Sequence, residues 1–273
     1  MKETVGFIGL GDQGAPIARR IVEAGYPMVL WARRKEQLDP FAGTRATFAD
    51  DIESLARAAH HVGVCVVDDS GVRDVCARLV AAMRAGGRIA IHSTVHPDTC
   101  RAVAAEAGKR GISVVDAPVS GGAPAAAKGE LTVMVGGDVE AVEAARPIFE
   151  TFSALIVRLG VVGAGQAAKL VNNTLLAANM ALAHHALQAS AALGLDRAAL
   201  AGLIKASSGR SFGFEVYARL PSPAAFAHGG ALLDKDARLL AALLAEDEGG
   251  RALVRTARAF LDFIPGTDKR SAS

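Results

Sequence analysis

Cysteine is scarce in this chain: three in 273 residues, Cys65, Cys76 and Cys100. An odd number without metal-ligand spacing excludes a disulfide framework and a cysteine-based metal site. Buried free thiols in a reducing cytoplasm are the simplest account, and no metal is expected. Charge of one sign is also missing. Thirty Lys and Arg against 28 Asp and Glu leave a net +2, so nothing points to nucleic acid or an anionic membrane surface. No apolar run is long and clean enough to span a bilayer. The most apolar stretch, from about Gly165 to Leu193, is interrupted by Lys169, Asn172, Asn173, His184, His185 and Gln188, and it reads as a core helix. No secretory signal is expected, because a strand and a glycine loop follow Met1-Lys-Glu-Thr4 at once. What is present is a globular balance, 51% hydrophobic and 21% charged, in a length sufficient for two domains.

The first forty residues carry a specific pattern. Thr4–Ile8 is an apolar run that predicts a buried parallel strand. Gly9-Leu10-Gly11-Asp12-Gln13-Gly14 follows, then a helix over Ala15–Ala24, stopped by Gly25, and a second strand over Pro27–Trp31. Pro16 fits the first helical turn, where its missing N–H costs nothing. Strand, G-x-G-x-x-G, helix, strand is the context in which the glycines acquire meaning. Gly9 permits the tight turn, Gly11 lets the backbone approach a pyrophosphate, and Gly14 lets the helix pack on the strand. Asp12 is unusual there and is expected to face solvent.

The end of the second strand selects the cofactor. An Asp or Glu at that point would hydrogen-bond the ribose 2′-hydroxyl of NAD. This chain has Arg33-Arg34-Lys35 instead, three cations suited to a 2′-phosphate. NADP is therefore expected over NAD, with Glu36 and Asp39 as partial neutralisers.

Alternating strand and helix patterns continue. Helices are predicted near Asp51–Ala59, Val72–Met83, Pro97–Arg110 and Val139–Phe149. Strands are predicted at Val62–Val67, Arg88–His92, Ile112–Val115, Leu131–Val135 and Ala154–Arg158. Such repeats predict a doubly wound, mostly parallel sheet with ligands beyond the carboxyl ends of its strands. Three segments end there: Val67-Asp68-Asp69, His92-Ser93-Thr94, and Asp116 through Ser120-Gly121-Gly122. The last offers a hydroxyl and approachable backbone N–H groups that suit a carboxylate. Asp116 is expected to organise that loop, and Ser93 and Thr94 to contact nicotinamide ribose or substrate. His96 is a titratable candidate but equally a local cap before Pro97.

Beyond Gly160 strand patterns stop, and the rest is Ala- and Leu-rich helix broken at Gly194, Ser207-Ser208-Gly209 and Pro221-Ser222-Pro223. The expected division is a Rossmann domain over 1–161 and an all-α domain over 162–273. The junction carries Gly163-Ala-Gly-Gln-Ala-Ala-Lys-Leu-Val-Asn-Asn173. Lys169 and Asn173 lie one helical turn apart, so an ammonium and an amide share one face and are able to hold one substrate oxygen. This places Lys169 where two domains meet, a preferred ligand position. Lys235-Asp236 is expected to open a later helix, with Asp236 favoured by the N-terminal dipole.

These motifs, with Gly129–Gly137 between them, resemble the β-hydroxyacid dehydrogenase family over residues 4 to about 245. The resemblance implies a Rossmann domain followed by a helical domain, assembled as a homodimer or homotetramer. It implies an NADP-dependent oxidoreductase for a short 3-hydroxy acid or semialdehyde acid, a small-molecule carboxylic acid substrate. It assigns Lys169 as general acid/base and Asn173 as its substrate-holding partner. Ser120, Gly121, Gly122 and Thr94 would then bind substrate. Gly9, Leu10, Gly11, Asp12, Gln13, Gly14, Arg33, Arg34, Lys35, Val67, Thr94 and Lys235 would contact the cofactor. Gln13 stands where the family commonly has methionine. After Lys235 the chain is shorter than the helical tail usual in the family, ending in Gly266-Thr-Asp-Lys-Arg-Ser-Ala-Ser273. Two further readings are an imine reductase-like NADPH enzyme, whose class lacks the lysine, and a non-catalytic NADP-binding sensor or scaffold.

Overall fold

The structure, a computed structural model, describes residues 2–265 and Thr267, so Asp268–Ser273 of the tail lie outside the described residues. The chain divides into two compact units, Met1–Lys169 and Leu170–Ser273.

The first unit opens with β1 (Val5–Ile8), α1 (Gly14–Glu23), β2 (Met28–Trp31) and a 3-10 turn over Lys35–Phe41. Next come β3 (Ala46–Phe48), α2 (Ile52–Ala58), β4 (His61–Val64) and α3 (Asp69–Ala82). Then follow β5 (Arg88–Ile91), α4 (Pro97–Gly108), β6 (Ser113–Asp116) and β7 (Val119–Ser120). The unit closes with α5 (Gly122–Lys128), β8 (Leu131–Gly136), α6 (Val139–Phe149) and β9 (Ser153–Gly160). The sheet order is β3-β2-β1-β4-β5-β6-β8-β7, with β9 paired to β8. The six strands β3 to β6 pair in parallel, while β8 runs antiparallel to β6 and β7. That is the doubly wound arrangement expected, with order reversing at β1, where β2 and β4 lie on either side.

Both faces of this sheet are covered, which is why β1, β4 and β5 are buried along their whole length and show no polar alternation, with His61 and Arg88 opening β4 and β5 as a buried polar pair. One apolar layer joins the sheet to α1 and α6 through Ile17, Ile21, Val142 and Phe149. The other joins it to α2, α3 and α4 through Leu55, Val72, Leu79 and Val103. Local rules set the helix starts. Asp51 caps α2 with a reciprocal bond to Ser54, and Asp68 caps α3 by accepting from the N–H of Gly71.

The second unit holds most of α7 (Ala164–Ala192), then α8 (Arg197–Lys205), α9 (Phe212–Ala218), a 3-10 turn over Pro223–Phe226, α10 (Ala227–Leu243) and α11 (Glu248–Leu261). Its core gathers Met180, Leu187, Phe214, Tyr217, Leu233 and Phe260. The buried carboxylate of Asp234 on α10 takes Arg238 at 3.0 Å and Arg258 of α11, which pins these two helices. Among the described residues no helix is long and apolar enough to cross a membrane.

One expectation fails here. Lys235-Asp236 does not open a helix: α10 begins at Ala227, and both residues sit in its middle. Gly230, inside α10, is there for packing. A Cβ at that position would stand 2.3 Å from Cδ1 of Ile264, so the helix runs through it against that side chain.

Candidate active site

The turn after β1 is built by close approach. Gly9 has φ +96°, and a Cβ there would lie 2.1 Å from the carbonyl oxygen of Cys65, beyond β4. A Cβ on Gly14 would lie 1.9 Å from the carbonyl oxygen of Gly9, so only glycine lets α1 dock on the turn. Gly11 differs: it is exposed, and its Cβ direction opens into free space. A backbone left bare beside a helix N-terminus is what a phosphate group requires. The Nε2 of Gln13 is buried and has no hydrogen-bond partner among the described residues, a donor that a bound oxygen would satisfy. These features fit a dinucleotide. Asp12 is exposed, while the side chain of Leu10 lies in the core, so only its backbone faces outward. Arg33, Arg34 and Lys35 are exposed beyond β2, with Arg34 3.9 Å from Glu36. Val67, beyond β4, is 78% exposed.

The adjoining strand ends are tied together by side chains. Ser93 does not face outward as expected: it is buried, and its Oγ accepts the N–H of Val66 at 2.8 Å, joining the turns after β4 and β5. Thr94 beside it is half-buried. His96 is a cap, its Nδ1 accepting the N–H of Asp98 at 3.2 Å to start α4. Asp116, at the end of β6, is fully buried and reaches the start of α7 rather than its own loop. Its carboxylate accepts the N–H of Gly163 at 2.6 Å and of Gln166 at 2.8 Å. Burial pushes this carboxyl above its ordinary range, and the backbone donors oppose the shift. Gln166, also fully buried, donates from Nε2 to the carbonyl of Ser93 at 2.8 Å and accepts the N–H of Val95 at 3.0 Å. Lys169 stands one turn further along α7 and is 8% exposed.

Ser120 ends β7 and pairs with Thr132 of β8, so what reads as a plain glycine loop is a short strand running into α5. Gly121 has φ +128°, and its Cβ would meet that of Ala125 at 2.7 Å, so the sharp turn into α5 needs glycine. Gly121 and Gly122 are exposed.

In the second unit Asn173 is 8% exposed and donates from Nδ2 to Oδ2 of Asp236 at 2.6 Å. Lys235 lies 2.9 Å from Oδ1 of the same carboxylate, an ion pair without hydrogen-bond alignment. The carboxylate therefore bridges Asn173 and Lys235, a role no sequence spacing announces across 63 residues. A separate cavity of about 310 Å³ is lined by Asn179, Leu182, Ile204, Arg210, Ser211 and Phe214. Among the described residues no group of three His, Cys, Asp or Glu is placed to hold a metal ion.

Comparison with known proteins adds three kinds of finding. The family model described as the NAD binding domain of 6-phosphogluconate dehydrogenase matches residues 4–191. The model described as the NAD-binding region of NADP-dependent 3-hydroxyisobutyrate dehydrogenase matches residues 163–263. The chain is 37% identical to NAD-dependent L-serine dehydrogenase of Pseudomonas aeruginosa over 255 residues, covering 90% of this chain and 83% of that one. It is 33% identical to mitochondrial 3-hydroxyisobutyrate dehydrogenase of Mus musculus over 223 residues, 81% of this chain and 67% of the relative. Its fold is similar to that of Mycobacterium tuberculosis 3-hydroxyisobutyrate dehydrogenase solved with L-serine, with TM-score 0.84 and 28% identity over 96% of this chain and 94% of that one.

Proposed function

The chain belongs to the β-hydroxyacid dehydrogenase family and is an NAD(P)-dependent hydroxyacid dehydrogenase, and from this we propose that it exchanges a hydride between NADP and a short 3-hydroxy acid, with Lys169 as general acid/base. The observation that carries the proposal is the pair Lys169 and Asn173: both buried, one turn apart on α7, with the Asn173 amide fixed by Asp236. L-serine is itself a 3-hydroxy acid, so the substrates named for the relatives share one chemistry.

A bound nicotinamide supplies or accepts the hydride. The residues of the chain do the rest. Ser120 and the backbone of Gly121 and Gly122 hold the carboxylate, which fixes the reacting carbon and makes the transfer a positioned step. In oxidation the Lys169 amine takes the hydroxyl proton as hydride leaves the carbinol carbon and the C–O bond becomes a carbonyl. In reduction the ammonium returns that proton to the oxygen. Asn173 has two N–H groups, of which Asp236 takes one, and the second orients the substrate oxygen. Thr94 and Val67 line the cofactor side, and the family resemblance assigns Lys235 a contact to the same cofactor. Gly9 to Gly14 cradle the pyrophosphate at the start of α1, and Arg33 and Arg34 hold the 2′-phosphate. A homodimer or homotetramer is the assembly the family resemblance favours.

The test is nicotinamide absorbance, with oxidised NADP and NAD against L-serine and 3-hydroxyisobutyrate, beside isobutanol as a carboxylate-free control, and with NADPH and NADH against glyoxylate, succinic semialdehyde and tartronate semialdehyde. The proposal expects turnover of at least one acid and none of isobutanol. Equal turnover of isobutanol would remove the carboxylate site. NADPH binding without turnover of any acid would favour the sensor reading.

A further inference from the structure

We infer that Gln166 is a positioning residue for this reaction: its carboxamide fixes the backbone on both sides of Thr94 against the helix that carries Lys169. The inference rests on the roles proposed above for Thr94 and Lys169.

The two bonds from the Gln166 carboxamide to the backbone straddle Thr94, and the buried Cys100 thiol also bonds that side chain. The carbonyl of Ser93 belongs to the peptide before Thr94 and the N–H of Val95 to the peptide after it, at 2.8 and 3.0 Å. Both torsions of Thr94 are thereby held. Gln166 is in turn held by its own backbone N–H on Asp116 at 2.8 Å, while Gly163 donates to the other oxygen of that carboxylate. Lys169 follows three residues later on the same rigid helix. The relay extends to a third strand end, because Ser93 Oγ accepts the N–H of Val66, next to Val67. One buried side chain therefore sets the distance between the Thr94 turn and the Lys169 turn. Its chemistry is demanding. The site needs a donor and an acceptor in one plane at that reach, which a carboxamide has. An ionised carboxylate would set negative oxygen against the Ser93 carbonyl. A protonated carboxyl would restore both bonds, with O–H donating to Ser93 and C=O accepting from Val95.

That difference supplies the test. Gln166→Met and Gln166→Glu are compared with wild type across about pH 6 to 9, using the acid turned over best among those above. For Gln166→Met we expect kcat lower by about 10–10²-fold, the scale of an ångström-level misplacement. KM for the acid and NADPH affinity, read by fluorescence titration, should stay within about threefold. For Gln166→Glu, burial favours the neutral acid, so activity is near wild type at the low end. It then falls as pH rises through an ionisation that wild type lacks. A readout independent of turnover is hydrogen exchange of cofactor-free protein: Gln166→Met should speed exchange at residues 93–96. A folded Gln166→Met with kcat within about threefold of wild type, or a Gln166→Glu profile parallel to wild type, would overturn the inference. If Gln166→Met does not fold, the Gln166→Glu profile decides. Loss of activity in Lys169→Ala with Gln166→Met unaffected removes only this inference, whereas an active Lys169→Ala removes the reading beneath it.

Discussion

Asp236 holds one N–H of Asn173 at 2.6 Å, and an acceptor-only group at that point determines which end of the amide is nitrogen. Replacing it by Asn allows the amide to turn its oxygen toward the substrate. Asp236→Asn should lower kcat on the order of 10–10²-fold with folding retained, as steady-state kinetics beside a melting curve would show; a wild-type kcat would mean Asn173 needs no such partner. Arg33 makes a separate claim. It is exposed, so its loss should cost little stability. A bidentate contact to a 2′-phosphate is a charge-assisted bond, for which about 1.5–3 kcal/mol is typical. Arg33→Ala should therefore lower kcat/KM for NADP by roughly 10–10²-fold and leave that for NAD nearly unchanged. An equal loss with both cofactors would assign Arg33 to something other than the phosphate.

At the scale of elements, the β1 turn and α1 form one packed object. A Cβ at Gly14 would meet the backbone oxygen of Gly9, which has no rotamer to yield. Gly14→Ala should then cost about 1–3 kcal/mol of stability and weaken NADPH binding together. Urea midpoints and fluorescence titration would check both, and unchanged values would show that the turn can relax. This element was legible in sequence because three signals agreed: an apolar run, glycines at fixed spacing, and a helix with Pro16 in its first turn. Where signals are short or ambiguous, legibility stops. β3 has three residues and β7 two, too few to show a period. Lys235-Asp236 gives no sign that its helix begins at Ala227, because Gly229-Gly230 lie inside that first stretch, with Gly230 packed against Ile264. The ties that hold the candidate site were the least legible. Asp116 to Gly163, Gln166 to Ser93 and Asp236 to Asn173 join residues 47, 73 and 63 positions apart. A buried Gln or Asp has no local pattern until its distant partner is known.

At the scale of the molecule, the nucleotide-binding unit carries two fully enclosed imidazoles. His61 accepts from Arg88 Nε at 2.9 Å, and His92 bonds the carbonyl of Ala117 while stacking on Phe7 and meeting the edges of Phe149 and Phe152. Burial holds His92 down to about 4, and burial with the neighbouring Arg88 charge holds His61 well below the usual histidine range. The folded chain keeps both neutral while the unfolded chain takes up protons near 6.5. Their contribution is thus present above that pH and is lost as pH falls below it. Each should contribute a slope of about 1.4 kcal/mol per pH unit, for His92 down to about pH 4. Denaturant midpoints measured between about pH 7.5 and 5 should fall with acid; a flat profile would mean these rings protonate in place.

The central claim is that Lys169 moves the proton. The most direct measurement is kcat/KM of Lys169→Ala against wild type, with NADP and the acid turned over best, on protein whose melting curve and NADPH affinity match wild type. The account predicts a loss of about 10²–10⁴-fold, carried by kcat. A folded, cofactor-binding variant within a few fold of wild type would contradict it.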